Sequence, residues 1–583
     1  MDVKTSRRRC LGLRLRPGVV RLIFQSLSGG RPALILAGRK GLIDTNRNAI
    51  RSTRGPGASE QSRSLKRRNP DRRAGAHNKN KRPGESSVHQ TPEADPPPPR
   101  RAALWLILAF LLPSLGTLTG SFLYDDLPLI VQNDRLHSLA RLGEIWTHGY
   151  WPDRPGLTLY RPVAETVWSL LWSLGGGNPW PFHLLNLLLG SAVVVLVHRL
   201  LLDLRLPARA AFFASLLFAV LPIHTEVTAA IIGGNELLAA ALGLGALLLY
   251  RRGAFGGALI LYVLAVFSKE SAAAVAGLAF LFPWFEPGPR RPLNFRRLAV
   301  HGMVVAAVVG LALWARAAVA EGAVFIPAID NPMALVAAPR RILTALWVQV
   351  LYVGRTLLPF TLSADYSYKE IPLVMGLHDG RAWAGLALVV LAALAFLKQP
   401  ATRLGLAFWV VLFLPAANLL MPIGTMMGER LVYLPSIGLA LLVVQALARL
   451  PAKEIFLAGL VLLLAVRTTV RNRDWHDADA FYPKLAQTSP GSAKTHYFLG
   501  CYKAARDDPA GALAEYNQAI AIFPAYPEAL NNRGCILSTL GRIAEAKASF
   551  RECLIFNPGH SGAAASLATL EAGLNLVPQK PRL

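Results

Sequence analysis

The sequence predicts an all-α protein, in which a polytopic bundle of about eleven membrane spans is followed by a C-terminal tetratricopeptide-repeat solenoid. Two observations predict this architecture. The 583-residue chain is 53% hydrophobic and only 17% charged, whereas soluble domains carry about a quarter charged residues. After residue 473 the pattern becomes amphipathic and helical, and prolines recur at a period of 34 residues, the tetratricopeptide length.

Twelve apolar runs are candidates to cross a hydrocarbon core of about 30 Å, although some of them are short. They cover residues 102–122, 182–203, 209–226, 235–250, 253–268, 271–285, 298–319, 342–360, 382–397, 403–421, 431–449 and 452–468. We interpret the run 342–360 as re-entrant or peripheral, because only then do the later basic loops join the earlier ones in the cytoplasm. The sequence therefore predicts a multi-pass integral membrane protein with eleven crossings.

The net charge of +27 is concentrated at the N-terminus, where residues 1–100 hold 23 Lys and Arg against 7 Asp and Glu. This stretch is rich in Arg, Ser, Gly and Pro and lacks the apolar periodicity that builds a core. We interpret residues 1–101 as a basic, largely disordered cytoplasmic tail. A nucleic-acid role is the other interpretation of such charge, but the positive-inside rule already accounts for it, and we predict no nucleic-acid partner.

The domain order follows from these patterns. A membrane domain is predicted over residues 102–470, with a long outer loop at 123–181, and repeats are predicted over 471–575, before a tail at 576–583. Two repeats cover 493–526 and 527–560 and are flanked by partial helices. A short repeat array of this kind offers a groove that usually binds a peptide or protein.

Eleven crossings place the polar clusters at helix ends on the non-cytoplasmic side. Polar groups gathered at one depth of a membrane protein indicate a reaction site. The clusters are the Asp125 loop, His224 to Glu226, Lys269 with Glu270, Asp365 with Tyr366, and Glu429 with Arg430.

The adjacent carboxylates Asp125 and Asp126 are the leading catalytic candidates, since a carboxylate at the mouth of a membrane helix is well placed to accept a proton. Two alternatives stay open for the pair. It can cap a turn, or it can bind a metal if Glu226, Glu270 and Asp365 converge on it in space.

Cationic side chains that face an outer cleft suit the phosphate of a lipid carrier, and the candidates are Arg161, Lys269 and Arg430. The alternative is that Lys269 with Glu270, and Glu429 with Arg430, form interfacial ion pairs. His224 is more typical of a hydrogen-bonded interface histidine than of a catalytic one.

Aromatic residues crowd the loop 123–181, where they either anchor the chain at the interface or line a sugar or lipid-headgroup site. No Walker loop, dinucleotide fingerprint, zinc-spaced cysteine and histidine set or nucleophile elbow is present in the sequence. These absences argue against soluble nucleotide chemistry.

A series of short motifs resembles the transmembrane and tetratricopeptide-repeat protein O-mannosyltransferases over about residues 102–575. The motifs are Tyr124-Asp125-Asp126, Tyr160-Arg161-Pro162, Phe182-His183-Leu184-Leu185-Asn186, Leu221-Pro222-Ile223-His224-Thr225-Glu226, Ser268-Lys269-Glu270, Asp365-Tyr366-Ser367-Tyr368, Glu429-Arg430-Leu431-Val432-Tyr433-Leu434-Pro435 and Arg471-Asn472-Arg473-Asp474-Trp475. Their order, and the repeats that follow, make the resemblance specific.

The resemblance implies a membrane-embedded GT-C glycosyltransferase that moves a sugar, mannose in this family, from a polyprenyl-phosphate carrier to Ser or Thr hydroxyls outside the cytoplasm. It implies that Asp125 is the general base and that Asp126 positions the acceptor or shares that role. Arg161, Lys269 and Arg430 would hold the leaving phosphate while the anomeric centre inverts. The remaining substrate-binding candidates are His224, Glu226, Glu270 and Asp365, with no metal and no cofactor beyond the lipid-linked sugar.

The Ala-, Arg- and Leu-rich composition indicates a bacterial source, which implies an inner-membrane protein with a periplasmic active face, or an endoplasmic reticulum protein if the source is eukaryotic. Two other functions stay open at this stage. One is a catalytically inactive membrane adaptor that recruits proteins through its repeats. The other is a glycosyltransferase that acts on a glycan or glycolipid.

Overall fold

The computed structural model describes residues 101–152, 159–285, 295–320, 326–574 and 576. Nearly all of the predicted N-terminal tail and C-terminal tail therefore lies outside the described residues. The described part is built from helices and confirms the all-α fold class, with apolar helices first and repeat helices last.

Helices occupy all twelve apolar runs. The helices of the membrane body are α1 (Ala102–Ser114), α2 (Leu142–Thr147), α3 (Pro162–Gly175), α4 (Trp180–Asp203), α5 (Ala208–Val220), α6 (Thr225–Thr228), α7 (Gly234–Arg251), α8 (Phe255–Ser268), α9 (Val275–Phe285), α10 (Phe295–Ala318), α11 (Ala338–Leu357), α12 (Gly380–Lys398), α13 (Arg403–Phe413), α14 (Ser436–Leu447) and α15 (Lys453–Arg473).

Within the described ranges, five helical segments are long and apolar enough to cross a membrane, and a bent pair formed by α5 and the segment Pro222–Thr228 makes a sixth. The bend of 51° falls at Pro222, whose missing N–H and ring interrupt a continuous helix. Shorter apolar helices account for several of the remaining runs. The chain is an integral membrane protein, and the number of eleven crossings stays a prediction.

Helix α11, in the run interpreted as re-entrant or peripheral, is flanked by segments that reach the same part of the molecule. Asp330, which precedes α11, forms a 2.9 Å ion pair with Lys494, and Asp365, which follows it, accepts a hydrogen bond from Ser492. A crossing helix of 20 residues is about 30 Å long and would place its two flanks on opposite faces. The common contact with residues 492–494 therefore favours a helix that does not cross.

The segment predicted as an outer loop, 123–181, contains helices of its own and a small apolar core. The helix α3 lies within it, and Leu129, Ile145, Tyr150 and Trp168 are buried together. These buried aromatic rings are core residues of the segment, whereas Trp146 and Trp180 are about half exposed, as interfacial anchors are.

The C-terminal repeats are α16 (Ala478–Thr488), α17 (Ala493–Ala505), α18 (Pro509–Ile522), α19 (Pro527–Thr539), α20 (Ile543–Phe556) and α21 (Ser561–Glu571). Helices within a repeat approach closely because glycines lie at the crossings. A Cβ on Gly500 would come within 2.6 Å of the Tyr516 ring, and one on Gly534 within 2.7 Å of Phe550.

Two connecting segments of the membrane body hold the first repeat. The Ala493 N–H donates to the Tyr368 carbonyl at 2.7 Å, and the Tyr368 N–H donates to the Ile329 carbonyl at 2.9 Å. The Gly491 N–H donates to the Glu370 carboxylate at 2.9 Å. The Lys369 N–H also donates to the Gly491 carbonyl at 3.1 Å, so two backbone bonds and one side-chain bond fix the first repeat to the body.

Candidate active site

A polar cavity of about 90 Å³ lies where the segment after α1, the start of α7, the end of α8 and the start of the repeats meet. Among the described residues, the charged side chains that line it are Asp125, Arg161, Glu226, Glu236, Lys269 and Arg430. Aromatic side chains complete the wall, namely Tyr124, Tyr150, Trp151 and Trp475. The cavity thus brings together five of the site residues predicted from the sequence.

The carboxylate of Asp126 is buried in the protein beside this cavity and is only 1% exposed. Its Oδ2 accepts the Leu123 N–H at 3.0 Å, and its Oδ1 accepts the Ile232 N–H at 2.9 Å. Burial raises the pKa of Asp126 to about 7, and the hydrogen bonds from the backbone oppose that rise. Asp126 therefore ties its own turn to the segment before α7.

That segment packs tightly enough to present the Ile232 N–H to Asp126. A Cβ on Gly233 would come within 2.1 Å of the Val227 carbonyl oxygen, so only glycine fits there. Asn186 reinforces the segment by donating its side-chain N–H to the Ala230 carbonyl at 3.0 Å. The docking of the turn that carries Asp126 thus depends on a glycine within this segment and on a polar side chain of α4.

Asp125 points to the cavity rather than into the protein. The residue before it, Tyr124, has a left-handed backbone with φ of +53°, which is costly for a residue with a side chain. Its ring packs on Phe498 of α17, with ring centroids 4.7 Å apart, and on Phe481 of α16. Contacts with the repeats therefore hold Tyr124 in the conformation that turns Asp125 toward the cavity.

Glu226 and Arg430 form one of three ion pairs in or beside the cavity. The Arg430 guanidinium contacts Glu226 Oε1, and the Arg430 backbone N–H donates to Glu226 Oε2 at 2.8 Å. Burial opposes the charge of Arg430, but Glu226 and Asp125 together hold its pKa above the ordinary range. The Arg430 side chain keeps 31% of its surface exposed.

Lys269 and Glu236 form the second pair, with 2.6 Å between Nζ and Oε2. Both side chains are less than a tenth exposed. A buried ion pair of this kind carries a large desolvation cost and is weak evidence for stability.

Arg161 and Glu270 form the third pair, which is bidentate, with N–O distances of 3.0 and 2.6 Å. The Arg161 guanidinium also lies over the Tyr150 ring, 4.8 Å from its centroid. The Tyr150 hydroxyl in turn accepts a hydrogen bond from the Asn235 side chain at 2.8 Å. Arg161 is thus fixed from two sides, in the geometry that a planar guanidinium favours.

Glu429 lies behind the cavity and fixes the backbone next to Arg430. Its Oε1 accepts the Tyr366 hydroxyl and the Ser363 N–H, each at 2.6 Å, and its Oε2 lies 3.7 Å from Arg471. Burial raises the pKa of Glu429 to about 7, although Arg471 acts in the opposite direction. The alternative interpretation, in which Glu429 pairs with Arg430 and Lys269 with Glu270, is wrong, because all four charges have other partners.

Four of the nine predicted site residues do not line the cavity: Asp126 and Glu270, described above, and also Asp365 and His224. Asp365 is buried at the junction with the repeats, where Ser367 Oγ donates to its carboxylate at 2.9 Å. His224 is buried against Phe218 and Tyr433, and its Nε2 lies 2.8 Å from Ser436 Oγ. His224 is thus hydrogen-bonded, as in the interpretation favoured from the sequence, but it lies in the interior of the bundle.

The proposed convergence of Glu226, Glu270 and Asp365 on a metal is not seen. Each carboxylate has a different partner, and the described ranges contain no group of three or more His, Cys, Asp or Glu side chains arranged for a metal ion.

Sequence reasoning missed Glu236 as a site residue. The sequence contained a signal for it. A carboxylate in the first turn of an apolar helix carries a high desolvation cost unless it has a partner, and Glu236 is such a carboxylate. Trp475 was also missed as a wall of the cavity, since its place depends on how the repeats dock.

Comparisons with known proteins identify two family models that match parts of this chain. A family model described as Protein O-mannosyl-transferase TMTC, DUF1736 matches residues 323–393, and a Tetratricopeptide repeat model matches 527–560. The first match contains the segments around Asp330 and Asp365 that hold the repeats.

Curated relatives match over most of the chain. Human Protein O-mannosyl-transferase TMTC4 is 28% identical over 468 residues, which cover 68% of this chain and 63% of the relative. Human TMTC1 is 29% identical over 530 residues, covering 77% and 58%, and Drosophila melanogaster Tmtc3 is 27% identical over 518 residues, covering 73% and 56%. The chain spans about six-tenths of the length of these relatives. The resemblance predicted from the sequence is confirmed.

Proposed function

We propose that this chain, like the protein O-mannosyltransferases it resembles, is a membrane glycosyltransferase that moves mannose from a polyprenyl-phosphate carrier to Ser or Thr hydroxyls of proteins. One observation carries the proposal. Asp125 faces a cavity in which cations from three separate elements are already positioned. A proton acceptor and several phosphate-binding groups around one space are the groups that this transfer requires.

Asp125 acts as the general base in the proposed reaction. The acceptor hydroxyl gives its proton to the Asp125 carboxylate while its oxygen attacks the anomeric carbon of the sugar. The bond from that carbon to the carrier phosphate breaks on the opposite face, and the phosphate leaves with the electron pair. A single displacement of this kind inverts the anomeric centre.

Arg430 and Lys269 are the cations best placed to hold the leaving phosphate. A guanidinium has five N–H donors, and the contact with Glu226 leaves donors of Arg430 for a further anion. Lys269 has three donors and one carboxylate partner. Arg161 donates two hydrogen bonds to Glu270. Its proposed role is therefore to hold the cavity wall in position and not to bind the phosphate directly.

The cavity must widen when the donor binds. Its volume of about 90 Å³ is far below the range of about 300–1,000 Å³ that is typical of ligand pockets. Trp151 and Trp475 are the wall residues whose rings suit the apolar CH face of a sugar. We therefore expect side-chain movement at this wall on donor binding.

The repeats are proposed to hold the acceptor protein, because their first residues form part of the cavity. The backbone N–H of Ser121 donates to the His476 carbonyl at 2.9 Å, and Trp475 lies in the cavity wall. A peptide bound along the repeats would therefore end close to Asp125. The site would face the periplasm in a bacterium and the lumen of the endoplasmic reticulum in a eukaryote.

The test uses the purified full-length chain in detergent, with polyprenyl-phosphate mannose as donor and a Ser/Thr-rich peptide as acceptor. Mass spectrometry should show a peptide that is heavier by one hexose, and GDP-mannose should not replace the lipid donor. Absence of transfer with every lipid-linked sugar, while the chain still captures proteins through its repeats, would favour the inactive adaptor.

The variant Arg430→Lys tests the phosphate assignment. Lysine keeps the charge beside Glu226 but loses the planar fork, so we expect the donor KM to rise at least about threefold with a smaller change in kcat. Arg473→Lys is the matched control, since Arg473 is exposed at the end of α15 and does not line the cavity. Equal donor KM values for the two variants would contradict the assignment.

A further inference from the structure

A second, larger cavity lies between α7, α8, α9 and α10, and nothing in the proposed transfer reaction uses it. Its volume is about 530 Å³, within the range of about 300–1,000 Å³ that ligand pockets usually have. The wall is mainly aliphatic and aromatic, with Leu247, Val275 and Val304 among its residues.

Two polar side chains of the wall, Tyr262 and His301, have partners within the protein. The Tyr262 hydroxyl donates to the Ala273 carbonyl at 3.1 Å, and His301 Nε2 lies 3.2 Å from the Ala276 carbonyl. The interior therefore presents apolar surface and suits a hydrocarbon chain.

Two arginines lie at one end of this cavity. Arg296 and Arg297 belong to the first turn of α10, line the cavity and are exposed. Arg297 has an interaction partner in the protein, and Arg296 adds a second guanidinium at the same end. An apolar cavity with a cationic mouth is complementary to a lipid with an anionic headgroup, and basic pockets between membrane helices bind such headgroups.

The end of the second cavity that carries Arg296 and Arg297 is at the opposite end of the bundle from the active-site cavity. Helix α7 contributes Glu236 to the active site from its first turn and Tyr250 to the second cavity from its last. Fourteen residues of helix separate these two positions, which is about 21 Å. The positive-inside rule assigns the end with Arg296 to the cytoplasmic leaflet.

We propose that this second cavity binds an anionic phospholipid of the cytoplasmic leaflet. The phosphate would lie at Arg296 and Arg297, and an acyl chain would fill the cavity. Only a narrow part of α10 packs against the body, where Val308 is its buried residue, so a lipid in the second cavity fills the space between α10 and the rest of the bundle. The carrier lipid is a poorer match, because its phosphate has to reach Arg430 at the other end.

The experiment is native mass spectrometry of the full-length protein, released from detergent that contains phosphatidylglycerol or phosphatidylcholine. Wild type should retain phosphatidylglycerol at least about fivefold better than phosphatidylcholine. The double variant Arg296→Gln, Arg297→Gln should lose this preference. The control Lys398→Gln, Arg449→Gln removes two exposed charges from other helix ends on the same predicted side and should keep it.

A third variant, Val304→Trp, fills the second cavity without removing charge and should lower the retention of both phospholipids. Equal retention of the two lipids by wild type, or equal behaviour of the two double variants, would overturn the proposal. It would also be overturned if, in detergent to which undecaprenyl phosphate is added, Val304→Trp displaced undecaprenyl phosphate but no phospholipid. None of these readouts depends on sugar transfer, so the proposed function can fail without affecting this result.

Discussion

At the residue scale, Asp125 and Asp126 are adjacent in sequence, but their carboxylates lie in different surroundings. Asp126 accepts two backbone N–H groups inside the protein, whereas Asp125 lines the cavity with Arg430. The turn-cap alternative therefore describes Asp126, and the catalytic proposal rests on Asp125. The two residues should respond differently to the same substitution.

Asp126→Asn should mainly reduce stability. An amide has one acceptor oxygen, so one of the two backbone N–H groups would lose its partner at a cost of about 1–3 kcal/mol. Thermal unfolding in detergent should show a lower apparent Tm for this variant, with Asp134→Asn at the exposed surface as the control. A Tm equal to that of the control would contradict the structural role of Asp126.

The pH dependence of stability tests the same residue. The folded protein raises the pKa of Asp126 from 3.8 to about 7, so between these values the folded state binds more protons than the unfolded state. Stability should therefore fall as pH rises through this window, and Glu429 acts with the same sign. Unfolding temperatures measured between pH 5 and pH 8 should decline less steeply for Asp126→Asn than for wild type.

Single residues were only partly predictable from sequence. The positions of Asp125, Arg161, Lys269 and Arg430 at one cavity follow from topology, because helix ends on one side of a membrane lie at similar depth. Their partners do not follow, since which carboxylate meets which cation depends on how the helices are arranged around the bundle. Glu236 is the clearest example.

At the element scale, the connection around Asp365 holds the repeats to the membrane body. The Asp365 carboxylate accepts hydrogen bonds from the Ser367 N–H and hydroxyl and from the hydroxyls of Ser492 and Thr495. These donors are buried, so each would be costly to leave without an acceptor.

Asp365→Ala should loosen the first repeat from the body. Hydrogen exchange should become at least about tenfold faster around residues 489–495, because several donors lose one shared acceptor. Asp508→Ala is the control, since Asp508 caps α18 at the exposed surface and its loss should cost about 1 kcal/mol without reaching the junction. Unchanged exchange at 489–495 would contradict this role.

Helix α11 provides a test of topology. If α11 does not cross, cysteines introduced at the exposed positions Leu335 and Phe360 should react with a membrane-impermeant maleimide from the same, non-cytoplasmic side. The native cysteines would first be replaced by alanine, and a cysteine at Lys398 is the control for the cytoplasmic side. If positions 335 and 360 were labelled from opposite sides, α11 would cross the membrane and all twelve apolar runs would count as crossings.

The helices themselves were predictable because apolar length and proline spacing are properties of the chain alone. The helical content of the segment 123–181 was less predictable. Its elements are short, and they depend on buried contacts such as those of Tyr150 and Trp168. The docking of the repeats was not predictable either, because it rests on backbone hydrogen bonds between residues more than a hundred positions apart.

At the scale of the whole molecule, the acidic turn, the ion-paired cations and the start of the repeats form one assembly around one cavity. Tyr124 links the turn to α17, and Glu429 links Arg430 to Arg471 at the end of α15. A rigid connection of this kind fixes the distance between a bound acceptor and the proposed base. In the proposed reaction Asp125 is that base.

The most direct test is the single-turnover rate of mannose transfer by purified Asp125→Asn, measured beside Asp126→Asn and wild type at saturating donor. General-base catalysis contributes about 10²–10⁴-fold, so Asp125→Asn should lose at least about a hundredfold in rate while its Tm stays at the wild-type value. The folded fraction of Asp126→Asn should keep a rate closer to wild type. Transfer by Asp125→Asn at the wild-type rate would contradict the role of Asp125 as the general base.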